Sequence, residues 1–494
     1  MKSDSFTPGR VFILLLCVVI LVYGNTFLNE WTYDDIPVVL NNPDAHSLAG
    51  FIQNSYSGRP LRELTHIPEY MLFGANPAGY RIQQLGWHAT NGFLLFILMR
   101  RIGLSAVAAI VGAILFLVHP LQVESVASIG HRKELLALFF SLASLLAYLK
   151  ATLCSNGRRL ALLALSGLLY VAALFSNVTS VMVPILAVLF DMLLLNQEKR
   201  LLMRRPVVSL PLLGVAGAVF LYGVRGHISL DNLLILYSQN GFFGSTEYYP
   251  LLLASVKAFG FYVSKLICPV GLAPEYSLVI PTRMTDAGFL VSAALLAGVI
   301  AVLAYAWKRA PVAAFGIGWF LACYIPVSNL IPTGYIAADR YMYLCLPGIA
   351  MVVGDLFRRL SARWCVGLCL SVLVVLAATS VIQNGYWRNT LTLWSHAAEV
   401  NERSTGAQYC AATAYLKVGN LPMAEMHARR VMELNRFFLP AYLLMGKIEE
   451  QQRKYGEALK HYNFFLSYGA MQYPAEANEV RRKLVTLPAE GELP

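Results

Sequence analysis

Runs of about 20 apolar residues, the length that carries a helix across a bilayer core, recur along this 494-residue chain and end in short basic clusters. The first covers Val11 to Phe27; others are drawn at 80–100, 104–119, 133–150, 159–176, 178–196 and 207–224, then at 287–307, 311–327, 341–357 and 364–383. Such a chain folds in lipid. With no water to bond its backbone, each segment must satisfy its own N–H and C=O groups, and a helix does so internally. At 57% hydrophobic and 14% charged residues the composition lies outside the soluble range. The expected fold is therefore all-α, a polytopic helical bundle of about eleven spans.

The charges set the topology. Arg100-Arg101, then Lys150 with Arg158-Arg159, then Lys199-Arg200 with Arg204-Arg205 fall at alternate connections, as cytoplasmic loops require. No small-residue cleavage site follows Val22-Tyr23-Gly24-Asn25, so the first segment is expected to stay as an uncleaved helix with the N terminus inside. Reading the stretch from Leu251 to Ile267 as interfacial or re-entrant keeps Lys308-Arg309 and Arg358-Arg359 inside and the C-terminal tail outside. The net charge of +11 resides mostly in these clusters, which are topology signals rather than a groove for nucleic acid. The eight cysteines include no Cys-x-x-Cys pair; neither a disulfide framework nor a metal knuckle is expected.

After about Tyr386 the chain becomes charged and Ala-rich. An internal repeat of tetratricopeptide type aligns here. Tyr442, Met445, Gly446, Ala458 and Tyr462 occupy the large, large, small, Ala and aromatic positions of one repeat, and Ala411, Ala412, Tyr415, Ala424 and Ala428 occupy comparable places one period earlier. Trp394 and Ala397 fall on a preceding helix and 476–484 on a cap. The expected division is residues 1–385, membrane domain, and 386–494, repeats whose concave face suits a polypeptide.

Candidate chemistry gathers in the loops placed outside. The first carries Asp34-Asp35, Arg59-Pro60-Leu61 and Asn76-Pro77-Ala78-Gly79-Tyr80, and is long enough for interfacial helices. The second carries His119-Pro120 through Glu124-Ser125-Val126, then His131-Arg132-Lys133-Glu134. Acids and cations thus converge on one membrane face, where ionised groups are costly and usually functional. Plainer readings stand beside this one. Asp34 or Asp35 could cap a helix, Arg132 and Lys133 could anchor a helix end, His119 could bond within a turn, Glu124 could form a structural pair, and Asp339-Arg340 could be a local ion pair.

The ordered set Asp34-Asp35, Arg59-Pro60-Leu61, Asn76-Pro77 to Gly79-Tyr80, His119-Pro120 to Glu124-Ser125-Val126, Arg132 to Leu136 and Asp339-Arg340-Tyr341-Met342-Tyr343-Leu344 resembles the transmembrane and tetratricopeptide repeat-containing O-mannosyltransferases and their bacterial relatives. The resemblance covers nearly the whole chain. It implies a GT-C glycosyltransferase with seven shared spans plus a variable set, using a polyprenyl-phosphate sugar donor. It further implies Asp34 as the base on an acceptor hydroxyl, with Asp35 assisting or holding a metal if one is used. Glu124 is the second-loop acid. Arg59, Arg132, Lys133 and Arg340 are the cations expected around the donor phosphate, with His119 and His131 as further candidates.

One stretch departs from the family pattern. Where many relatives carry a Ser-Lys-Glu type motif, this chain reads Ser176-Asn177-Val178, which leaves the sugar unassigned. The sequence permits a divalent metal ion and requires none. Expected partners are the lipid-linked donor, membrane lipids and an exported or surface protein presented by the repeats. The expected place is a bacterial inner membrane with the repeats periplasmic. Two other classes stay open: a lipid-linked sugar transporter or flippase, and a non-catalytic scaffold that uses the repeats alone. Acids and cations on one face favour a surface active site over transport, which would spread charge through the midplane.

Overall fold

The computed structural model describes residues 7–53, 59–154, 156–194, 248–330, 335–360 and 362–486. The span expected at 207–224 and the basic cluster at 199–205 lie outside them. Helix and short 3-10 turns account for the regular structure of the described residues, without a β-strand. They divide into two compact units, one running to Asn389 except for Glu275–Ser277, the other holding Glu275–Ser277 and the chain from Thr390.

In the first unit the α-helices are α1 (Pro8–Tyr23), α2 (Leu48–Gln53), α3 (Pro60–Phe73), α4 (Pro77–Arg101), α5 (Ala106–Val118), α6 (Val123–Ala127), α7 (Arg132–Ala151), α8 (Asn156–Ser176), α9 (Val183–Leu193), α10 (Tyr248–Ile267), α11 (Ala287–Arg309), α12 (Pro311–Tyr324), α13 (Leu346–Phe357) and α14 (Arg363–Tyr386). Local rules set their ends. Ser105 and Asp286 accept the Ala108 and Phe289 N–H groups as N-caps, satisfying donors left over by the first turn. Arg100 and Arg101 close α4 at its negative end.

Among the described residues six helical segments are long and apolar enough to cross a membrane, and α5 with the Pro120–Ala127 stretch makes a seventh if that pair, bent by 55°, counts as one span. The chain is a multi-pass membrane protein. Two details differ from the sequence expectation. The stretch read as interfacial, Leu251 to Ile267, forms a continuous helix long and apolar enough to cross. Conversely α4 has 25 residues, yet its buried residues include Arg81, Gln84, His88 and Asn91. Spaced by three and four, they form one polar face turned into the bundle. That face has partners. His88 meets the Tyr343 hydroxyl at 2.9 Å and the Leu117 carbonyl at 3.1 Å, and Asn91 donates to the Leu135 carbonyl at 2.9 Å and to the Tyr343 hydroxyl at 3.1 Å. Around α4 pack α1, α5 and α7, which fix the helix ends that carry the loops.

The second unit contains α15 (Thr390–Val400), α16 (Thr405–Lys417), α17 (Leu421–Leu434), α18 (Leu439–Gln451), α19 (Tyr455–Gly469) and α20 (Pro474–Thr486). Consecutive helices pack pairwise. Ala412, Ala424, Ala428, Leu444, Met445 and Ile448 form one core, and Leu443, Ala458, Tyr462, Phe465, Ala477 and Val480 the next. Gly446 permits the approach of α18 to α19, since a Cβ there would stand 2.6 Å from the Tyr462 ring.

Candidate active site

The site begins with a backbone constraint. Tyr33, just before the acid pair, has φ of +49°, a left-handed conformation that a bulky residue adopts only when its surroundings hold it. Its hydroxyl lies 3.3 Å from that of Tyr335, and its ring packs 5.9 Å from the His131 ring. On the other side Gly130 lets the second loop touch the first: a Cβ there would stand 2.9 Å from both the carbonyl carbon and oxygen of Asp34.

The two aspartates receive opposite surroundings. Asp35 is fully enclosed; its Oδ1 accepts from the Ser128 hydroxyl at 2.7 Å and the Gly130 N–H at 2.9 Å, while Oδ2 is buried without a partner among the described residues. Burial pushes its carboxyl up, against the pull of Arg81 and these bonds. Asp34 keeps 33% of its side chain exposed and uses only Oδ2, 3.1 Å from His131 Nε2, so that Oδ1 is uncommitted among the described residues. Burial pushes this carboxyl up too, but the His131 bond and the charges of Arg340 and Lys133 outweigh it and hold Asp34 well below the ordinary carboxylate range. Adjacent acids driven apart in this way take different chemical roles.

From Asp34 the contacts continue inward. His131 Nδ1 makes no hydrogen bond among the described residues and lies 3.9 Å from Glu124 Oε1. Glu124 in turn accepts from the Arg340 guanidinium at 2.5 Å and its backbone N–H at 2.7 Å. The same guanidinium donates to the Pro274 carbonyl at 3.1 Å and stands over the Tyr335 ring, 5.0 Å from its centroid. Lys133 is 7% exposed and its ammonium makes neither a hydrogen bond nor an ion pair among the described residues. Arg59, Glu134, Arg340 and Asp34 all act on it electrostatically. Arg59, at the start of α3, is in electrostatic reach of Glu134, Arg340 and Asp34.

Asp34, Glu124, His131, Lys133, Arg59 and Arg340 are thus brought together. Two expected members are not. Arg132, expected among the phosphate cations, is fully buried and spends its guanidinium on protein: Glu69 at 2.5 and 2.9 Å, Gln84 at 3.0 Å, and the Tyr80 and Thr65 carbonyls at 3.1 and 3.5 Å. His119 accepts from the Leu121 N–H at 3.2 Å and meets the Leu266 carbonyl at 3.1 Å, the turn-forming role that was its plainer reading. Sequence reasoning also passed over Glu69, Tyr33 and the pair Asn177–Glu134, whose amide and carboxylate meet at 2.8 Å. A signal for Glu69 existed, because a cation opening an apolar helix needs an acid partner once buried and the first loop offers few.

The donor set does not fit a metal. Among the described residues no three His, Cys, Asp or Glu side chains are grouped to hold one, and the spare oxygen of Asp35 is enclosed. The arrangement suits acid–base work at a half-open carboxylate facing cations, the pairing needed to deprotonate a hydroxyl beside a departing oxyanion.

No protein-family model matches the chain. Among known proteins it is similar to protein O-mannosyl-transferases. It is 24% identical to protein O-mannosyl-transferase TMTC3 of Mus musculus, over 79% of this chain and 47% of that protein. For Tmtc3 of Drosophila melanogaster the identity is 22%, over 93% and 59%, and for TMTC4 of Homo sapiens 23%, over 81% and 63%. The family resemblance read from the ordered motifs is borne out by these relatives, of whose length the chain spans about half. Two solved structures are similar at lower level. The oligosaccharyltransferase AglB of Archaeoglobus fulgidus, in complex with an inhibitory peptide and a dolichol-phosphate, has 12% identity and a TM-score of 0.45 over 79% of this chain and 56% of that one. ArnT of Cupriavidus metallidurans, bound to undecaprenyl phosphate, has 14% identity and a TM-score of 0.43 over 90% and 78%.

Proposed function

We propose that this chain is an integral-membrane glycosyltransferase that moves a sugar from a polyprenyl-phosphate carrier to a Ser or Thr hydroxyl of an exported protein. The observation that carries the reading is the Oδ1 of Asp34, uncommitted among the described residues, on a partly exposed carboxylate held ionised within electrostatic reach of Lys133, whose ammonium has no hydrogen-bond or ion-pair partner among them. Asp34 takes the proton of the acceptor hydroxyl; its oxygen attacks the anomeric carbon from the face opposite the phosphate, and the glycosyl C–O bond breaks with inversion. The electron pair leaves with the phosphate, which Lys133, Arg59 and Arg340 stabilise as charge develops. His131 orients Asp34, and Glu124 holds Arg340 in place. The second unit, read as tetratricopeptide repeats, presents the polypeptide. Similarity to proteins named protein O-mannosyl-transferases supports this chemistry, as does the extracytoplasmic side assigned by the basic loops, which fits a bacterial inner membrane with periplasmic repeats.

The test compares cells that carry wild type, D34N or E124Q by intact mass of their exported proteins. Wild type adds hexose-sized increments. D34N, inserted at normal level, is expected to lose transfer by about 10²–10⁴-fold, the usual contribution of a positioned base. Increments that persist at wild-type level in D34N remove Asp34 from the chemistry.

A further inference from the structure

We infer that Glu69 is a positioning residue of this site, acting through Arg132 to set where His131 and Lys133 stand; the inference rests on the glycosyltransferase reading above. Glu69 lies on α3, is fully buried, and contacts neither Asp34 nor the acceptor side. Both its oxygens receive Arg132, at 2.5 and 2.9 Å, and His66 Nδ1 lies 3.1 Å from Oε2. With Gln84, Tyr80 and Thr65 as the other acceptors, every one of the five guanidinium N–H groups is used. Burial pushes the Glu69 carboxyl up to about 7 against the pull of Arg132, so the pair is fully ionised above that pH.

Arg132 is the first residue of α7, and its neighbours in sequence are the two that serve the site. Pinning its planar fork at two edges fixes the rotation of that first turn. His131 then points to Asp34 at 3.1 Å, and the Lys133 ammonium is left without a hydrogen-bond or ion-pair partner among the described residues. The same clamp reaches the acids by a second route. Gln84, which accepts from Arg132, donates to the Ser125 and Ser128 carbonyls at 3.1 and 2.8 Å, and the Ser128 hydroxyl holds Asp35 at 2.7 Å. Glu69 therefore stands at the head of a bonded line from the outer helix α3 to the acid pair.

The full-length protein is assayed at about pH 8, above the Glu69 transition, with a panel of undecaprenyl-phosphate hexoses that includes mannose, and a Ser/Thr-rich peptide. E69Q keeps the shape and one acceptor oxygen but loses the charge. It is expected to lower kcat by about 10–100-fold, the scale of a misplacement near 1 Å, with both KM values within about twofold; melting falls, because one side of a buried pair is lost, and kcat is read on the folded fraction. Because the effect passes through His131, E69Q in an H131N background should lose less than about threefold more. Wild-type kcat in E69Q, or losses that multiply with H131N, overturn the inference. Should E69Q fail to fold, E69Q/R132Q, which removes both charges, carries the same expectation, and its failure to fold too makes the pair a stability device only. If wild type itself transfers no sugar, the glycosyltransferase reading falls instead. Positioning is then read from amine-reactive labelling of Lys133 mapped by mass, which E69Q must change at least threefold; an equal rate in wild type and E69Q overturns it.

Discussion

Asp34 and Asp35 share a peptide bond and little else. One carboxylate is half open with a free oxygen, the other is sealed by Ser128 and Gly130. The groups facing Asp34 are His131 and, through space, Arg340 and Lys133. Its carboxyl is depressed in the fold, so the contact with His131 stabilises above the unfolded value of 3.8 and is lost as pH falls through the lower folded value. Wild-type transfer should therefore have no acid limb set by Asp34 in the neutral or mildly acid range. H131N removes a bond that lowers the carboxyl, so an acid limb is expected to appear and to move to higher pH; profiles of kcat/KM against pH check this. Glu124 and Arg340 form a buried pair, and breaking one side of such a pair costs about 3–5 kcal/mol whereas removing both is often neutral. Thermal unfolding should show E124Q destabilised, and E124Q/R340M close to wild type while still inactive.

At the scale of elements, the site depends on two loops pressed together at one glycine. G130A would drive a methyl to 2.9 Å from the Asp34 backbone. It is expected to cost about 1–3 kcal/mol and to reduce transfer well below wild type. The control is G86A in α4, where nothing lies within 4 Å of the added Cβ; helix propensity makes it neutral or slightly stabilising, and both are read by melting and by peptide glycosylation. The existence and placement of most helices were legible because apolar runs and basic ends are local properties. Exceptions have physical causes. Helix α4 passes for a span on length, yet its polar face exists to meet Tyr343, Leu117 and Leu135, residues distant in sequence. The break at Pro120 is a proline effect, but the 55° bend that returns Glu124 toward Arg340 is set by packing.

Over the whole molecule, two units with different physics share one chain. The first buries polar residues inside an apolar exterior, while the second is an Ala-lined helical array with a water-soluble pattern. In that array A428L should crowd the core shared with Ala412 and Met445, costing about 1–3 kcal/mol. Proteolysis should then cut the second unit sooner, and glycosylation of protein acceptors should fall more than that of a short peptide. Equal loss with both acceptors would count against the repeats as the presenting surface. The departure at Asn177 also acquires a contact at this scale: its neutral amide donates to Glu134 on α7 at 2.8 Å.

What the amino-acid sequence determined by itself was the solvent this chain folds in, where most of its helices fall, and the acids and cations available in the loops between them. Those follow from hydropathy and charge, which add up along a chain without reference to contacts. Which of the cations faces the base was decided only by tertiary structure. His131, Arg132 and Lys133 are consecutive, yet residues on a helix turn by about 100° each, and Glu69, with Gln84 and the Tyr80 and Thr65 carbonyls, holds the middle one away while His131 meets Asp34.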